Sequence, residues 1–158
     1  MALNRGDIAF VQYNADGTDN FAFVALADIP AGEIILFTDN GWLNTNAFRT
    51  TEGTITWTAP ASGVTAGTVI TISTTPDTTL GTVSESGDLN FSGDGDQIIA
   101  YQVSSGVITP IAALNNEGAA FQADATSSNT SALPQGLVLG ESAVALTEID
   151  NAVYTGPT

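Results

Sequence analysis

The feature that most constrains this chain is its division into short apolar runs bounded by Gly, Pro, Asn and Asp. No stretch keeps the helical apolar period of about 3.6 residues over several turns, so no helix of ordinary length is predicted. The predicted strands are Ile8–Tyr13, Phe21–Ala27, Ile34–Thr38, Thr54–Thr58, Val69–Ser73, Gln97–Val103, Val107–Thr109 and Ala143–Thr147. This pattern predicts an all-β fold, an antiparallel β-sandwich of jelly-roll or Greek-key type with little or no helix. The length of 158 residues predicts a single domain, 1–158.

The predicted strands differ in how many of their faces are apolar. Thr54–Thr58 alternates, with Ile55 and Trp57 on one face, as expected for a strand whose other face meets water. Three other runs, Ile8–Tyr13, Phe21–Leu26 and Ile34–Phe37, are apolar on both faces. Their second face is covered either by loops and strand twist within one subunit or by another molecule. The sequence leaves both alternatives open.

Composition excludes most catalytic chemistry. The chain has seventeen acidic residues and two basic ones, which gives a net charge of −15. It contains no Lys, His or Cys. Without His there is no Ser-His-Asp site, and without Cys there is no thiolate nucleophile. Paired carboxylates remain as a route to glycoside hydrolysis, but nothing in the sequence singles out one pair. We therefore predict a protein that is not an enzyme. The same charge argues against nucleic-acid binding.

The missing Lys also bears on the strand edges. Exposed β edges are commonly protected by charge, especially Lys, or by Pro. This chain has no Lys, and its strand runs carry little charge. We therefore predict self-assembly of identical subunits through strand edges and apolar faces. The C-terminal Ala152–Thr158 is expected either to reach a neighbouring subunit or to lie along its own sheet.

Several loops carry oxygen ligands that suit calcium. The candidate metal-binding residues are Asn14, Asp16, Asp19, Asp39, Asp94 and Asp96. Short Asp/Asn/Gly loops supply several oxygens together, although the spacing is not that of an EF-hand. The alternative is that these residues form turns by bonding their own backbone. Because two arginines cannot neutralise the acidic charge of neighbouring subunits, we expect calcium to assist stability or assembly.

Two features concern glycans and membranes. The polar segment 122–136 is predicted to be a surface loop, and its Asn129-Thr-Ser131 fits the sequon for N-linked glycans. No apolar run approaches the length of about 20 residues that a membrane-spanning helix needs, so no membrane insertion is expected.

Several blocks of the sequence resemble a known module. They are Arg5–Gly17, Phe21–Pro30, Phe37–Trp42, Glu52–Trp57, Asn129–Gly136 and Ala143–Gly156. Together they resemble an accessory β-sandwich module of bacterial, often cyanobacterial, secreted and cell-surface proteins. The resemblance implies an extracellular, non-catalytic domain that accompanies nuclease, phosphatase or calcium-binding repeat regions. Here the module stands without such a region, from which we expect a subunit that associates with its own copies.

The sequence thus predicts a structural protein of the cell surface or extracellular space, a subunit of a filament, sheath or layer, assisted by calcium. The alternative is a calcium-stabilised carbohydrate-binding module. In that case Trp42, Trp57 or Tyr101 would provide the surface on which a sugar stacks. For Trp42, the sequence favours a place in the core over a stacking role.

Overall fold

The computed structural model describes residues 3–156, which form eleven strands and no helix. The strands are β1 (Ile8–Asn14), β2 (Asn20–Ala25), β3 (Ile34–Thr38), β4 (Thr54–Thr58), β5 (Val69–Ser73), β6 (Asp77–Thr78), β7 (Thr82–Ser86), β8 (Gln97–Ser104), β9 (Val107–Asn115), β10 (Ala143–Ala145) and β11 (Asn151–Val153). In this part of the chain, no helix has the length and hydropathy needed to cross a bilayer.

The strands form two sheets that pack face to face. The smaller sheet has the order β11-β1-β2-β5-β6, and the larger has the order β10-β9-β8-β3-β4-β7. All neighbours are antiparallel except β10 and β9. The predicted all-β sandwich is therefore confirmed.

Aromatic side chains from both sheets fill the space between them. The Phe37 ring lies 5.0 Å from that of Phe21 and 5.2 Å from that of Phe23. Trp57 is fully buried beside Phe23, and its Nε1 donates to the Leu80 carbonyl oxygen at 2.7 Å. Large rings in contact across the two sheets provide most of the apolar area that holds them together.

The predicted strands agree best with the structure where the sequence alternates or is continuously apolar. Strands β3, β4 and β5 have the predicted bounds, whereas β9 continues beyond the predicted Thr109 to Asn115. The sequence pattern did not predict β6, β7 or β11. These three lie at or next to sheet edges, where few side chains need to be apolar.

A second, smaller core covers the outer face of the larger sheet. In β8, Ile98 packs in the space between the sheets, whereas its neighbour Ile99 joins a cluster with Trp42, Ala113 and Leu137. The loops at 39–53 and 116–139 carry several of these side chains, so loops of the same subunit cover that face. Of the three doubly apolar runs, cover within one subunit holds for β2, whose residues Phe21–Ala25 are all buried. In β1 and β3 several apolar residues stay half-buried, and Ile34 is exposed.

Apolar residues nevertheless remain exposed at some strand ends. Leu26 is 52% exposed and Ile34 is 48% exposed. Val103, Val107 and Ile108 also remain exposed around the β8–β9 hairpin. Loop cover is thus incomplete at these positions.

The sheet edges are unequal in length. Strands β6, β10 and β11 contain two or three residues, whereas the edge strand β7 contains five. Short edges offer little to a pairing chain, so β7 is the main free edge of the larger sheet. Strand β11 pairs with β1, so the C-terminal segment lies along its own sheet up to Val153. Its last two residues, Pro157 and Thr158, lie outside the described part.

Candidate functional site

The loop between β1 and β2 is closed by its own side chains. Asn14 Nδ2 donates to the carbonyl oxygens of Asp16 and Thr18, both at 3.1 Å. The backbone N–H of Asp16 donates to Asn14 Oδ1 at 3.2 Å, which is an Asx turn. Asp16 Oδ2 in turn accepts from Asn151 Nδ2 in β11 at 2.7 Å. Asn14 and Asp16 thus serve the local structure, as the alternative to calcium binding anticipated.

Asp19 and Asp39 are buried and accept hydrogen bonds from backbone N–H groups distant in sequence. Asp19 Oδ2 accepts from the N–H of Phe91 at 2.7 Å. Asp39 uses both oxygens, Oδ1 for Gly53 at 3.0 Å and Oδ2 for Asn90 at 2.9 Å. A carboxylate that satisfies two buried backbone donors has a structural role that needs no ion.

Asp96 is held in the same way, whereas Asp94 is exposed. Asp96 accepts from the N–H groups of Ser92 at 2.9 Å and Gln97 at 2.8 Å. Within residues 3–156, no group of three or more Asp, Glu, His or Cys side chains is arranged to hold a metal ion. The six predicted ligands are therefore distributed over separate loops, and calcium binding by them stays a prediction.

Burial changes the acidity of these carboxylates. Loss of solvation raises the pKa of Asp39 to about 6 and that of Asp96 to about 8, against the opposing effect of their backbone hydrogen bonds. Burial also raises the pKa of Asp19. These acids therefore resist ionisation in the folded protein.

A cavity of about 300 Å³ lies on the outer face of the larger sheet. Its walls include Asn40, Phe48, Arg49, Glu52, Thr54 and Tyr101. The sequence reasoning missed this group. The signal available to it was that Arg49 is one of only two basic residues in the chain and stands three residues before an acid.

The loop that carries Arg49 and Glu52 is fixed by Asn40. Asn40 Oδ1 accepts from the backbone N–H groups of Thr51 at 3.0 Å and Glu52 at 3.1 Å. The N–H of Arg49 donates to the Gly41 carbonyl oxygen at 2.9 Å. The two charged residues are therefore held at defined positions on a rigid loop.

Two polar atoms of this cavity lack partners. Arg49 Nε and Glu52 Oε2 are buried, and neither has a hydrogen-bond partner among the described residues. Arg49 Nη1 makes one long bond, to the Ala125 carbonyl oxygen at 3.4 Å. Burial, together with the nearby charge of Asp39, raises the pKa of Glu52 to about 7, while Arg49 opposes that rise. The cavity thus presents an unused donor and an unused acceptor.

The three predicted stacking residues have different environments. Trp42 and Trp57 are buried in the two cores and face no open surface. Tyr101 is 8% exposed and lines the cavity, where its ring centroid lies 4.8 Å from that of Phe48. Of the three, only Tyr101 borders a space that a ligand could enter.

A second feature is an apolar groove along one side of the sandwich, where the two sheets meet at β1 and β9. Strand β11 pairs with Gln12–Asn14, and the N–H of Tyr154 extends the contact to the Val11 carbonyl oxygen, so Ile8–Phe10 have a strand partner on one side, β2, within the described chain. Beside this open edge lie two adjoining hollows of about 210 and 160 Å³, which share Phe10 and Val144. We call this surface the side groove.

Comparison with protein-family models, curated proteins and solved structures gave no match.

Proposed function

We propose that this protein is a non-catalytic structural subunit of an extracellular or cell-surface filament, sheath or layer, built from identical copies and assisted by calcium. The observation that carries the proposal is the open edge of β1 at Ile8–Phe10, beside the apolar side groove. An unpaired strand edge next to apolar surface is a common site for strand addition by another chain.

The partner strand we assign is β7 of a second copy. It is the longest outermost strand, and its Thr82, Ser84 and Ser86 are exposed. Each surface carries little charge on a chain of net charge −15, with Glu85 in β7 and Glu141 beside the side groove. Contact there brings few of the repelling acids together. Because β1 and β7 are different surfaces, each copy accepts one neighbour and donates to another, and such a contact generates an open filament when the rotation between copies does not close into a ring.

The first test places a charge on the donating edge. Ser84→Lys adds the residue type that natural proteins use to prevent edge pairing. We expect this variant to remain folded and to raise the concentration needed for polymerisation at least about tenfold, corresponding to roughly 1.4 kcal/mol per contact. Sedimentation velocity and negative-stain electron microscopy measure the polymer.

Ser62→Lys is the matched control, because Ser62 is exposed in a turn outside both surfaces. It introduces the same charge and should polymerise like the wild type. Equal polymerisation of the two variants, or a wild type that is monomeric at every concentration and calcium level, would refute the assembly proposal.

The second test concerns calcium. If divalent cations neutralise the acidic surface, EGTA should lower both the melting temperature and the amount of polymer, and added calcium should restore them. Sodium chloride at matched ionic strength controls for general screening. Should chelation change neither quantity, the calcium part of the proposal is wrong while the assembly part stands on the edge variants.

A further inference from the structure

The cavity around Arg49 and Glu52 is a different surface from the side groove, although Ser86 at the end of β7 also lines it. It lies on the outer face of the larger sheet and is separate from the side groove. Its loop is held by Asn40 through two hydrogen bonds and by Gly41 through a third. These bonds position the backbone of the loop, whereas the buried side-chain atoms Arg49 Nε and Glu52 Oε2 have no hydrogen-bond partner among the described residues.

Two unpartnered buried atoms in one cavity call for an explanation. Buried polar groups in folded proteins are nearly always hydrogen-bonded, because leaving one unsatisfied destabilises the fold. The other buried acids of this chain follow that rule, since Asp39 and Asp96 each satisfy two backbone donors. Seven buried side-chain atoms of the described residues lack a partner, and Arg49 Nε and Glu52 Oε2 are the two whose residues line this cavity. The matching group is therefore expected to come from outside the chain.

The walls define the chemistry of that group. Arg49 only donates hydrogen bonds, whereas ionised Glu52 only accepts them, so the ligand must do both. The rings of Phe48 and Tyr101 add an apolar surface beside the polar atoms. Above about pH 7, where Glu52 is ionised, an anion would meet the charge of Glu52 and a cation that of Arg49, which favours a neutral ligand. A volume of about 300 Å³ is at the small end of ligand sites, which suits a single ring.

We propose that this cavity binds one neutral pyranose unit of a glycan. Glu52 accepts a hydrogen bond from one ring hydroxyl, Arg49 donates to a neighbouring hydroxyl, and the C–H face of the sugar packs against Phe48 and Tyr101. Hydroxyl groups both donate and accept, so a pair of neighbouring hydroxyls satisfies both orphan atoms at once. This role does not depend on assembly and would give each subunit a point of attachment to extracellular polysaccharide.

Saturation-transfer-difference NMR tests the proposal, because it detects weak binding to monomer and polymer alike. The probes are the methyl glycosides of glucose, galactose and mannose, and N-acetylglucosamine, each at about 20 mM, where a site with a Kd of about 1 mM is nearly full. Glucuronate and glucosamine serve as charged comparators. We expect signal from at least one neutral sugar, and at least about tenfold weaker binding in Glu52→Gln and Arg49→Gln.

Glu148→Gln is the matched control, since Glu148 is an exposed acid that does not line the cavity. It should bind like the wild type, and thermal melts establish that each variant is folded. Three outcomes would overturn the proposal: no signal from any neutral sugar, signal from the charged comparators alone, or sugar binding that Glu52→Gln and Arg49→Gln leave unchanged. In the first case, water alone satisfies the two orphan atoms.

Discussion

Replacing Gly53 with Ala is expected to destabilise the protein by about 3 kcal/mol or more, one of the largest losses for a single added methyl group. Gly53 lies where the loop before β4 crosses the segment before Asn90. A Cβ atom at this position would lie 2.2 Å from the Leu89 nitrogen and 2.5 Å from the Asp88 carbonyl carbon. Both are backbone atoms, so no side-chain rotation relieves the clash.

Moving the backbone apart has its own cost, because Asp39 joins the two segments. Its Oδ1 accepts from the N–H of Gly53 and its Oδ2 from that of Asn90. Separation of the segments breaks one of these bonds and leaves a buried group without a partner, which costs about 1–3 kcal/mol in addition to the overpacking. We therefore expect overpacking and the broken hydrogen bond both to lower the free energy of unfolding.

Urea denaturation measures this effect, with Gly118→Ala as the matched control. No heavy atom lies within 4 Å of a Cβ built at Gly118, and its backbone is outside the left-handed region that favours glycine. The control should therefore stay within about 0.5 kcal/mol of the wild type. A Gly53→Ala protein as stable as the control would show that the crossing of the two segments is not tight.

The sequence predicted those strands whose side chains alternate or are wholly apolar. Thr54–Thr58 and Val69–Ser73 carry that pattern in five residues each, and both were predicted with their observed bounds. Strand β7 carries Val83 as its sole strongly apolar side chain and owes its place to pairing with β4. Such pairing between distant segments leaves no local period, so the edge strands β6, β7 and β11 escaped prediction.

Candidate site residues were harder to predict for a related reason. Asp19, Asp39 and Asp96 lie in turn-rich sequence, where an acid that binds an ion and an acid that accepts a backbone N–H cannot be distinguished. For Asp19 and Asp39 the donors are also distant in sequence. The partner of Asp19, Phe91, is 72 residues away. The cavity of Arg49 and Glu52 likewise depends on the bonds of Asn40, which no spacing rule predicts. The sequence shows which residues can bind ions or accept hydrogen bonds, but it does not show which groups become their hydrogen-bond partners.

The second large effect is a loss of stability as the pH rises from about 5 to 8. The folded protein raises the pKa of Asp39 to about 6 and that of Asp96 to about 8, chiefly through burial. An unfolded Asp titrates near 3.9. Between these values the folded state holds more protons than the unfolded state, so the free energy of unfolding falls as pH rises.

The sign and size of this pH dependence follow from the pKa values of the folded and unfolded states. The stabilising contribution is complete below about pH 4 and is lost as pH rises through the folded pKa of each acid. Each pH unit in that window removes about 1.4 kcal/mol per group, so Asp96 alone accounts for on the order of 4 kcal/mol between pH 5 and 8 as an upper limit. Asp39 and Glu52 lie close enough to Asp96 to reinforce its resistance to ionisation.

The composition leaves few other groups that titrate in this pH range. The chain has no His and no Cys, the side chains that ordinarily titrate between pH 6 and 8. Carboxylates with ordinary pKa values are already ionised at pH 6, so the electrostatic repulsion among them changes little above pH 6. A slope in stability between pH 6 and 8 therefore reports the acids whose pKa values the fold raises, Glu52 included, apart from the small contribution of the terminal amine.

Urea denaturation at fixed ionic strength in EGTA should show that slope in the wild type. Asp96→Asn should be less stable than the wild type at pH 6, because the NH2 group of asparagine is a donor and cannot accept one of the two backbone N–H groups that Asp96 satisfies. The stability of this variant should nevertheless fall less steeply towards pH 8. Asp94→Asn is the matched control in the same loop, and because its side chain is exposed it should keep the wild-type slope. Equal slopes for Asp96→Asn and the wild type would assign the pH dependence elsewhere. A stability that is flat from pH 6 to 8 would mean that the buried acids are already ionised, held by their backbone hydrogen bonds in spite of burial.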